Sequence, residues 1–261
     1  MTAQLPPELA SAFSLEGKVA LVTGSTMGIG EATARVLAQA GAHVIISSRK
    51  QDECEAIAAG FRQQGLSAEG RACHIGRMED IEAMSAWLKE EHGGLDILVN
   101  NAVLSPWRTI EDTEVGLFTK TVEVDLRGYW FMSVEAVRLM RSKGGGSIVN
   151  LASVAALHPD RMLSLYSTLK TALIGMSRSF ALEFGGEGVR VNTVLPGVIQ
   201  TKLADAFDVD TKKRIVEKTT VKRLGEPEDI GYSVLYLCSN AGAYVSGTNL
   251  VVDGGFSVAL M

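Results

Sequence analysis

The chain has 261 residues, of which 46% are hydrophobic and 21% charged, values typical of a globular protein with a well-filled core. The formal net charge of −5 gives no reason to expect nucleic acid or an anionic membrane as a partner. No run approaches the roughly 20 apolar residues that span a bilayer, and residues 1–12 lack the pattern of a secretory signal. The three cysteines are scattered without Cys-x-x-Cys spacing, which favours reduced thiols and a cytoplasmic location.

Apolar, β-branched runs predict strands, and longer stretches with helical spacing lie between them. The strands are predicted at 19–23, 42–47, 68–75, 95–99, 147–151, 189–195 and 249–252. The helices are predicted at 29–40, 52–64, 78–91, 113–141 with an interruption near Gly128, 163–184 and 227–239. This alternation indicates βαβ units, and it predicts one doubly wound α/β domain whose parallel sheet is covered by helices on both faces.

Two segments are predicted to lie apart from the regular alternation of strands and helices. Residues 1–14 are interpreted as a loosely held leader, so that the domain covers 15–261. Residues 200–222 are polar and of mixed charge, which suggests a mobile flap over the substrate.

The first strand ends in a glycine-rich turn that opens a helix. Gly24, Gly28 and Gly30 follow Thr23 in the pattern Thr-Gly-x-x-x-Gly-x-Gly. Glycines allow positive φ and a close approach of the backbone to a ligand, and a helix N-terminus offers unpaired N–H groups and a favourable dipole. The spacing differs from the general G-x-G-x-x-G fingerprint. The turn therefore predicts a phosphate-binding loop, with a purely structural turn as the alternative.

Tyr166 and Lys170 lie at i and i+4 and therefore share one face of a predicted helix. Such pairs are usually solvated surface, but this one lies between two apolar faces and follows a strand end at Ser153. A neighbouring cation stabilises a phenolate, and each unit of pKa corresponds to about 1.4 kcal/mol. A hydroxyl at Ser153 could hold a substrate oxygen while Tyr166 transfers a proton.

With Asn100-Asn101-Ala102, Pro196-Gly197 and Asp253-Gly254-Gly255, these motifs occur in the order and at the spacing of the short-chain dehydrogenases/reductases. The chain resembles this family from about residue 15 to residue 256. The resemblance implies a seven-stranded Rossmann sheet, hydride transfer to or from a nicotinamide, and usually a homotetramer.

The resemblance also assigns roles to individual residues. It implies that Tyr166 is the general acid/base and that Ser153 donates to the carbonyl oxygen. Lys170 would lower the pKa of the tyrosine and bind the ribose hydroxyls. Cofactor contacts are implied for the glycine turn and the strand ends, namely Gly24, Thr26, Met27, Gly28, Ile29, Gly30, His74, Ile75, Asn101, Ala102, Val103, Tyr166, Lys170, Pro196, Gly197, Val198 and Thr201.

Three positions depart from the family pattern. Val103 replaces the usual glycine after Asn-Asn-Ala, and His74 replaces an acidic residue that usually meets the adenine. The backbone of Ile75 could compensate for that change. Asp125 stands where a helical asparagine often completes a catalytic tetrad. That asparagine acts largely through its backbone carbonyl, so we expect Asp125 to keep the proton relay and to alter the pH optimum.

The end of the second strand predicts which nicotinamide cofactor binds. Ser48, Arg49 and Lys50 follow the strand, and no acidic residue occurs until Asp52. An arginine can bind a 2′-phosphate through charge-assisted, bidentate hydrogen bonds, with Ser48 as a further donor. The sequence therefore predicts NADP(H), with a merely solvated turn as the alternative.

The favoured substrate is a neutral, fairly hydrophobic ketone, reduced reversibly to a secondary alcohol. The predicted pocket wall is largely apolar and has no obvious arginine for a carboxylate: Val103, Leu104, Trp107, Leu157, His158, Leu163, Leu203 and Phe207. A 3-oxoacyl carrier-protein reductase is the alternative enzyme, for which Lys202, Lys212, Lys213 and Arg214 would form a basic patch. The alternative of another class is a nucleotide-binding protein of this family with little turnover.

No group of His, Cys, Asp and Glu shows the sequence spacing of metal ligands, so no catalytic metal is predicted. His43 and His74 are interpreted as structural histidines, and His92 as solvated surface.

Overall fold

The computed structural model describes residues 6–202 and 207–260. Its strands are β1 (Val19–Thr23), β2 (His43–Ser47), β3 (Ala68–Gly70), β4 (Ile97–Asn100), β5 (Gly146–Leu151), β6 (Val189–Pro196) and β7 (Asn249–Val252). They form one seven-stranded sheet in the order β3-β2-β1-β4-β5-β6-β7, and every neighbouring pair is parallel. The predicted doubly wound Rossmann sheet is therefore confirmed.

Helices cover both faces of this sheet. They are α1 (Pro7–Phe13), α2 (Gly28–Gln39), α3 (Gln51–Gln63), α4 (Met78–His92), α5 (Val115–Val122), α6 (Tyr129–Arg141), α7 (Ser164–Phe184), α8 (Val209–Lys218) and α9 (Pro227–Cys238). Within the described ranges, none of them combines the length and the apolar character that a bilayer crossing requires.

The sheet separates two apolar cores. Strand β1 is buried along its whole length, and its alternate residues point to opposite faces. Val22 packs in the core under α2, α3 and α9, whereas Leu21 packs in the core under α4, α6 and α7. Each fully buried side chain of this size stabilises the fold by about 1.5–3 kcal/mol, which explains the near-continuous apolar runs of the strands.

A row of buried polar side chains joins the central strands to the helices on one face. Asn100 Nδ2 donates to Ser133 Oγ at 3.0 Å and to Asn150 Oδ1 at 2.8 Å, and Asn150 Nδ2 donates to Ser177 Oγ at 2.9 Å. Asn100 ends β4, and its register partner Asn150 is the last residue but one of β5. Because hydrogen bonds between buried polar groups are costly to break, this row ties β4 and β5 to α6 and α7.

Three predicted elements differ from the structure. The third strand ends at Gly70 because residues 71–73 continue beside β2 only through single backbone hydrogen bonds, such as Cys73 N to Ser48 O at 2.7 Å. The predicted interruption near Gly128 is a π-helical stretch (Glu123–Gly128), so α-helical hydrogen bonding stops there but the chain stays helical between α5 and α6. The predicted leader contains helix α1, whose residues are not buried.

The predicted flap contains helix α8 and is anchored at its far end. Asp208 caps the helix by accepting a hydrogen bond from Thr211 N at 2.7 Å. Thr220 N and Val221 N both donate to Gly254 O, at 2.8 and 3.1 Å. Residues 203–206, with the predicted pocket residue Leu203, lie outside the described part of the chain. The mobility of the segment stays a prediction.

Candidate active site

A cavity of about 370 Å³ lies at the carboxyl ends of β1, β2 and β4. In an open parallel sheet this edge is where ligands bind, next to the point at which the strand order reverses. The cavity is lined by sixteen residues predicted from sequence, namely Gly24, Thr26, Met27, Gly28, Ile29, Gly30, Ser48, Arg49, His74, Ile75, Asn101, Ala102, Val103, Leu104, Tyr166 and Thr201. Cys73, Lys120 and Val124 also line it and were not predicted, and Lys202 was assigned only to a basic patch.

The glycine turn is shaped so that only glycine fits. Gly24 and Gly28 have positive φ, +65° and +59°. A Cβ on Gly24 would lie 2.7 Å from the backbone of Ala102, and one on Gly30 would lie 2.3 Å from the carbonyl oxygen of Gly24. Because the turn has no side chains at these positions, its backbone N–H groups at the N-terminus of α2 are accessible from the cavity, and this arrangement suits the binding of a pyrophosphate group.

One threonine joins this turn to the loop after β4. Thr23 Oγ1 donates to Val99 O at 3.3 Å and accepts from the backbone N–H of Asn101 at 2.9 Å and of Ala102 at 3.2 Å. Asn101 Nδ2 donates in return to the carbonyls of Thr23 and Gly24, at 2.9 and 3.0 Å. These contacts hold the two loops as one wall of the cavity.

The three polar residues after β2 are placed differently from one another. Ser48 and Arg49 line the cavity, and Arg49 is exposed. Lys50 is not among the lining residues, because it turns to Glu53, with Nζ 2.6 Å from Oε1. Arg49 is therefore the residue best placed to meet a 2′-phosphate.

His74 is oriented by the backbone around it. The backbone N–H of His74 donates to Asp80 Oδ2 at 2.9 Å, and the ring Nδ1 accepts from the backbone N–H of Gly76 at 3.1 Å. His74 and Ile75 both line the cavity. The position predicted to meet the adenine therefore carries an imidazole held in a fixed orientation.

Ser153, Tyr166 and Lys170 meet at the carboxyl end of β5. Ser153 caps a 3₁₀ turn by accepting from Ala155 N at 3.1 Å, which places its hydroxyl at the start of that turn. Its hydroxyl is close enough to the half-buried Tyr166 to lower the pKa of that tyrosine. Lys170 is buried, with Nζ 5.6 Å from the Tyr166 ring centre and donating to Leu151 O at 2.7 Å.

The protein groups raise the pKa of the tyrosine instead of lowering it. Burial raises the pKa of Tyr166 to about 12, against the opposing effect of the hydrogen bond from Ser153 and with a smaller raising effect from Asp125. Burial also lowers the pKa of Lys170 to about 8, which Asp125 partly opposes. Ser153, and not Lys170 as expected, is the group that opposes the rise in the pKa of Tyr166; burial outweighs it, and the phenol is protonated at neutral pH.

Asp125 is a buried carboxyl group between the lysine and the loop after β4. Its Oδ1 accepts from Leu104 N at 2.8 Å, while its Oδ2 has no partner among the described residues. Burial raises its pKa to about 6, with Lys170 and the Leu104 N–H opposing. Its charge therefore changes near neutral pH, close to the reacting groups.

The residues predicted to contact the nicotinamide end of the cofactor lie beside the end of the last strand, β7. Pro196 ends β6, and a Cβ on Gly197 would lie 2.7 Å from the Cβ of Asp253. Val198 lines a second, smaller cavity of about 180 Å³ together with Asp253. Lys170, Pro196, Gly197 and Val198 do not line the larger cavity.

The loop after β4 and the flap segment, which both carry predicted pocket residues, face each other where the substrate is expected to bind. Trp107, after β4, lies with its ring centre 6.0 Å from that of Phe207 in the flap segment. Arg108 N donates to the carbonyl oxygen of Met162, at 3.0 Å, which ties the loop after β4 to the loop between β5 and α7. Met162 takes a positive φ of 64°, a conformation uncommon for a residue with a side chain.

The remaining pocket candidates lie on the loop after Ser153. Leu157 is 46% exposed, His158 and Leu163 are half-buried, and His158 N donates to Val154 O at 2.9 Å. None of these three lines the larger cavity. Their contact with a substrate stays a prediction.

Comparison with known proteins agrees with this fold. The family model described as "Enoyl-(Acyl carrier protein) reductase" matches residues 24–257. "Dehydrogenase/reductase SDR family member 4" of Homo sapiens is 42% identical over 244 residues, covering 92% of this chain and 88% of the relative.

Solved structures are similar along almost the whole chain. A gluconate 5-dehydrogenase from Burkholderia cenocepacia, in complex with NADP and tartrate, superimposes with a TM-score of 0.92 at 28% identity, covering 96% of this chain and 99% of that one. A 7α-hydroxysteroid dehydrogenase, complexed with NADH and 7-oxo glycochenodeoxycholic acid, gives a TM-score of 0.91 at 30% identity, covering 94% and 96%.

A Rossmann sheet with a glycine turn and a serine, tyrosine and lysine at one edge defines a nucleotide-dependent oxidoreductase. The matches agree, and the chain belongs to the short-chain dehydrogenase/reductase family.

Proposed function

We propose that this protein is an NADP(H)-dependent carbonyl reductase, which reduces a neutral, fairly hydrophobic ketone to a secondary alcohol and also catalyses the reverse reaction. The observation that carries the proposal is the meeting of Ser153, Tyr166 and Lys170 beside a cavity with a bare glycine turn. When bound, the reduced cofactor supplies a hydride to the carbonyl carbon.

The residues of this chain then act on the carbonyl oxygen. The hydroxyl of Ser153 donates a hydrogen bond to that oxygen, and Tyr166 transfers its proton to the same oxygen as negative charge develops. The raised pKa of Tyr166 keeps this proton in place at neutral pH until the oxygen becomes basic. Lys170, with a pKa of about 8, carries a positive charge at pH 7 and favours the phenolate that remains.

One observation on this chain, the place of Arg49, supports NADP(H) as the cofactor. The gluconate 5-dehydrogenase relative holds NADP, whereas the hydroxysteroid dehydrogenase relative holds NADH, so the family accommodates both. In this chain Arg49 faces the cavity beside Ser48, without a partner among the described residues. A guanidinium in this place favours the nucleotide that carries a 2′-phosphate.

The substrate side supports a neutral, apolar ketone. Trp107 and Phe207 form an aromatic pair across the opening, and Val103 and Leu104 line the adjoining cavity. The wall that these four side chains form is apolar and binds hydrophobic surface, and the lysines of the cavity, Lys120 and Lys202, are not part of it.

Turnover of purified protein with NADPH and a panel of apolar ketones tests the proposal, with the absorbance of the reduced nicotinamide as the signal. Tyr166→Phe removes only the reacting hydroxyl, and we expect turnover to fall by about 10²–10⁴-fold, the usual contribution of a general acid. The matched control is Tyr129→Phe, because Tyr129 is also buried near Lys170, 5.1 Å from its Nζ, and its hydroxyl has no partner among the described residues. Equal loss in both variants would contradict the role of Tyr166.

A 3-oxoacyl carrier-protein thioester is the second candidate substrate. Lys213 and Arg214 of the predicted basic patch lie exposed on α8, and the matching family model is described as "Enoyl-(Acyl carrier protein) reductase", a name that also refers to a carrier-bound substrate. Faster turnover of a carrier-bound 3-oxoacyl chain than of any free ketone would favour this substrate. Nucleotide binding without turnover on either class would favour the non-catalytic alternative.

We also propose a homotetramer in a reducing compartment such as the cytoplasm. Exposed apolar side chains on α6 and α7, with Trp130, Phe131 and Leu182 at 43, 39 and 88%, offer contact surface to another copy. Cys54, Cys73 and Cys238 are buried free thiols. Sedimentation analysis at several concentrations tests the assembly, and a monomer at every concentration would refute it.

A further inference from the structure

Three side chains with metal-binding atoms meet at the opposite end of the sheet from the proposed active site. One ligand atom from each of His43, Glu69 and His92 lies within 4.8 Å of the others. Glu69 Oε2 lies 3.8 Å from His43 Nε2 and 3.6 Å from His92 Nε2. The two imidazole rings are 5.0 Å apart between centres.

Both imidazole nitrogens that face this point are buried and have no hydrogen-bond partner among the described residues. Buried polar atoms are normally satisfied, so two unpaired nitrogens in one place require an explanation. The separations from Glu69 exceed the 2.7–3.2 Å of an N–H···O hydrogen bond. A histidine–carboxylate hydrogen bond therefore does not account for the cluster.

Each histidine is held in orientation by a second contact. His43 Nδ1 lies 2.8 Å from Ser67 Oγ, so this nitrogen can donate its proton to the serine and leave the Nε2 lone pair free. Trp87 packs edge-on against His92, with ring centres 4.9 Å apart.

We propose that His43, Glu69 and His92 bind a divalent first-row transition ion, with Zn²⁺ as the best fit and water in the fourth position. In a tetrahedral zinc site with bonds of about 2.0–2.2 Å, neighbouring ligand atoms lie about 3.3–3.5 Å apart. Each histidine nitrogen needs to approach the Glu69 oxygen by only a few tenths of an ångström to reach these distances. Two imidazoles disfavour Ca²⁺ and Mg²⁺, which prefer oxygen ligands.

The ion would connect three elements at the edge of the sheet. His43 begins β2, Glu69 lies in the middle of the short edge strand β3, and His92 ends α4. Five residues of strand separate His43 from Ser48 at the cofactor cavity, which is roughly 17 Å at strand spacing. The proposed site therefore serves to hold the edge strand and α4 in place, and it takes no part in hydride transfer.

Zinc titration of the chelator-treated full chain tests this inference. We expect one tightly bound Zn²⁺ per chain in competition with a chromophoric chelator, and a rise of several degrees in Tm with excess ion. Glu69→Gln and His92→Gln should each weaken binding by at least about tenfold, as the loss of one of three ligands implies. Glu79→Gln and His158→Gln, which alter exposed or half-buried residues outside the cluster, should leave the affinity unchanged.

Substitution by Co²⁺ gives a readout that depends on ligand geometry. Intense visible absorption, typical of a tetrahedral ion with nitrogen ligands, should appear in the parent chain and in Glu79→Gln and be lost in His92→Gln. Glu69 is partly exposed, so Glu69→Gln keeps the test informative if His92→Gln does not fold. The proposal is overturned if no stoichiometric ion binds, or if Glu69→Gln retains the parent affinity.

Discussion

Replacement of Arg49 by alanine should separate the two nicotinamide cofactors. Arg49 faces the cavity, is exposed to solvent and has no partner among the described residues, so its removal disturbs no internal contact. A charge-assisted hydrogen bond contributes about 1.5–3 kcal/mol, and solvent exposure places this contact toward the lower end. A loss of about 2 kcal/mol raises the KM for NADPH by about 30-fold.

NADH lacks the 2′-phosphate, so its KM should change by less than about threefold in the same variant, the size of a minor electrostatic effect. The measurement is the initial rate as a function of each nucleotide at fixed ketone concentration. Higher ionic strength should shrink the difference between parent and variant for NADPH, because salt screens exposed charges.

Lys50→Ala is the matched control, since it removes a neighbouring positive charge from the same turn. Lys50 Nζ is 2.6 Å from Glu53, and Lys50 is not among the cavity residues, so we expect only a small change in the KM for NADPH. Equal effects of Arg49→Ala on both nucleotides would refute the 2′-phosphate role. An effect of Lys50→Ala as large as that of Arg49→Ala would show that general positive potential, and not a specific contact, selects the cofactor.

Asp125→Asn should shift the pH profile of alcohol oxidation to lower pH by up to about one unit, because the Asp125 charge raises the pKa of Tyr166. Parent and variant profiles should converge below about pH 6, where Asp125 is protonated, and parallel profiles at all pH values would contradict this coupling. Gly30→Ala should weaken NADPH binding by more than about tenfold, measured by calorimetry, and destabilise the fold by about 1–3 kcal/mol, measured by thermal melts. The reason for both effects is that the new Cβ would overlap the carbonyl oxygen of Gly24. Gly60→Ala, in the interior of α3 with nothing within 4 Å of the new Cβ, should instead stabilise by about 0.5–1 kcal/mol, and the same loss in both variants would refute the steric argument.

The strands of the central sheet could be predicted from the sequence because burial on both faces demands continuous apolar runs. The run at 19–23 gave β1 with the bounds that the structure shows. The third strand was predicted five residues too long, since residues 71–73 keep isolated backbone contacts with β2 after the ladder ends. An apolar pattern does not reveal where an edge strand loses its partner.

The lining residues of the cavity were predicted when they belong to a local sequence motif and were missed when only the folded chain brings them to the cavity. The glycine turn and Asn101 carry recognisable patterns, and both line the cavity. Lys120 lies on α5 and reaches the cavity only through the path of the chain after β4, so it resembled any exposed helical lysine. The pKa of Tyr166 was expected to fall, because the sequence shows the neighbouring charge of Lys170 and not the depth of burial.

His43, Glu69 and His92 were each interpreted alone or passed over, for a similar reason. Their separations along the chain are far from those of known metal motifs, and only the pairing of β2 with β3 and the end of α4 bring them together. Such a cluster becomes visible when the fold is known.

The backbone hydrogen bond from Arg108 to Met162 bears on any attempt to change the substrate range by exchanging loops. It joins the segment that carries Trp107 to the segment that follows Ser153, and it uses a main-chain carbonyl whose direction depends on the unusual φ of Met162. A donor loop taken from a relative would lose this link unless its partner came with it. The two loops are therefore best transplanted as a pair, and a library that varies them jointly should retain more folded, active members than one that varies either alone.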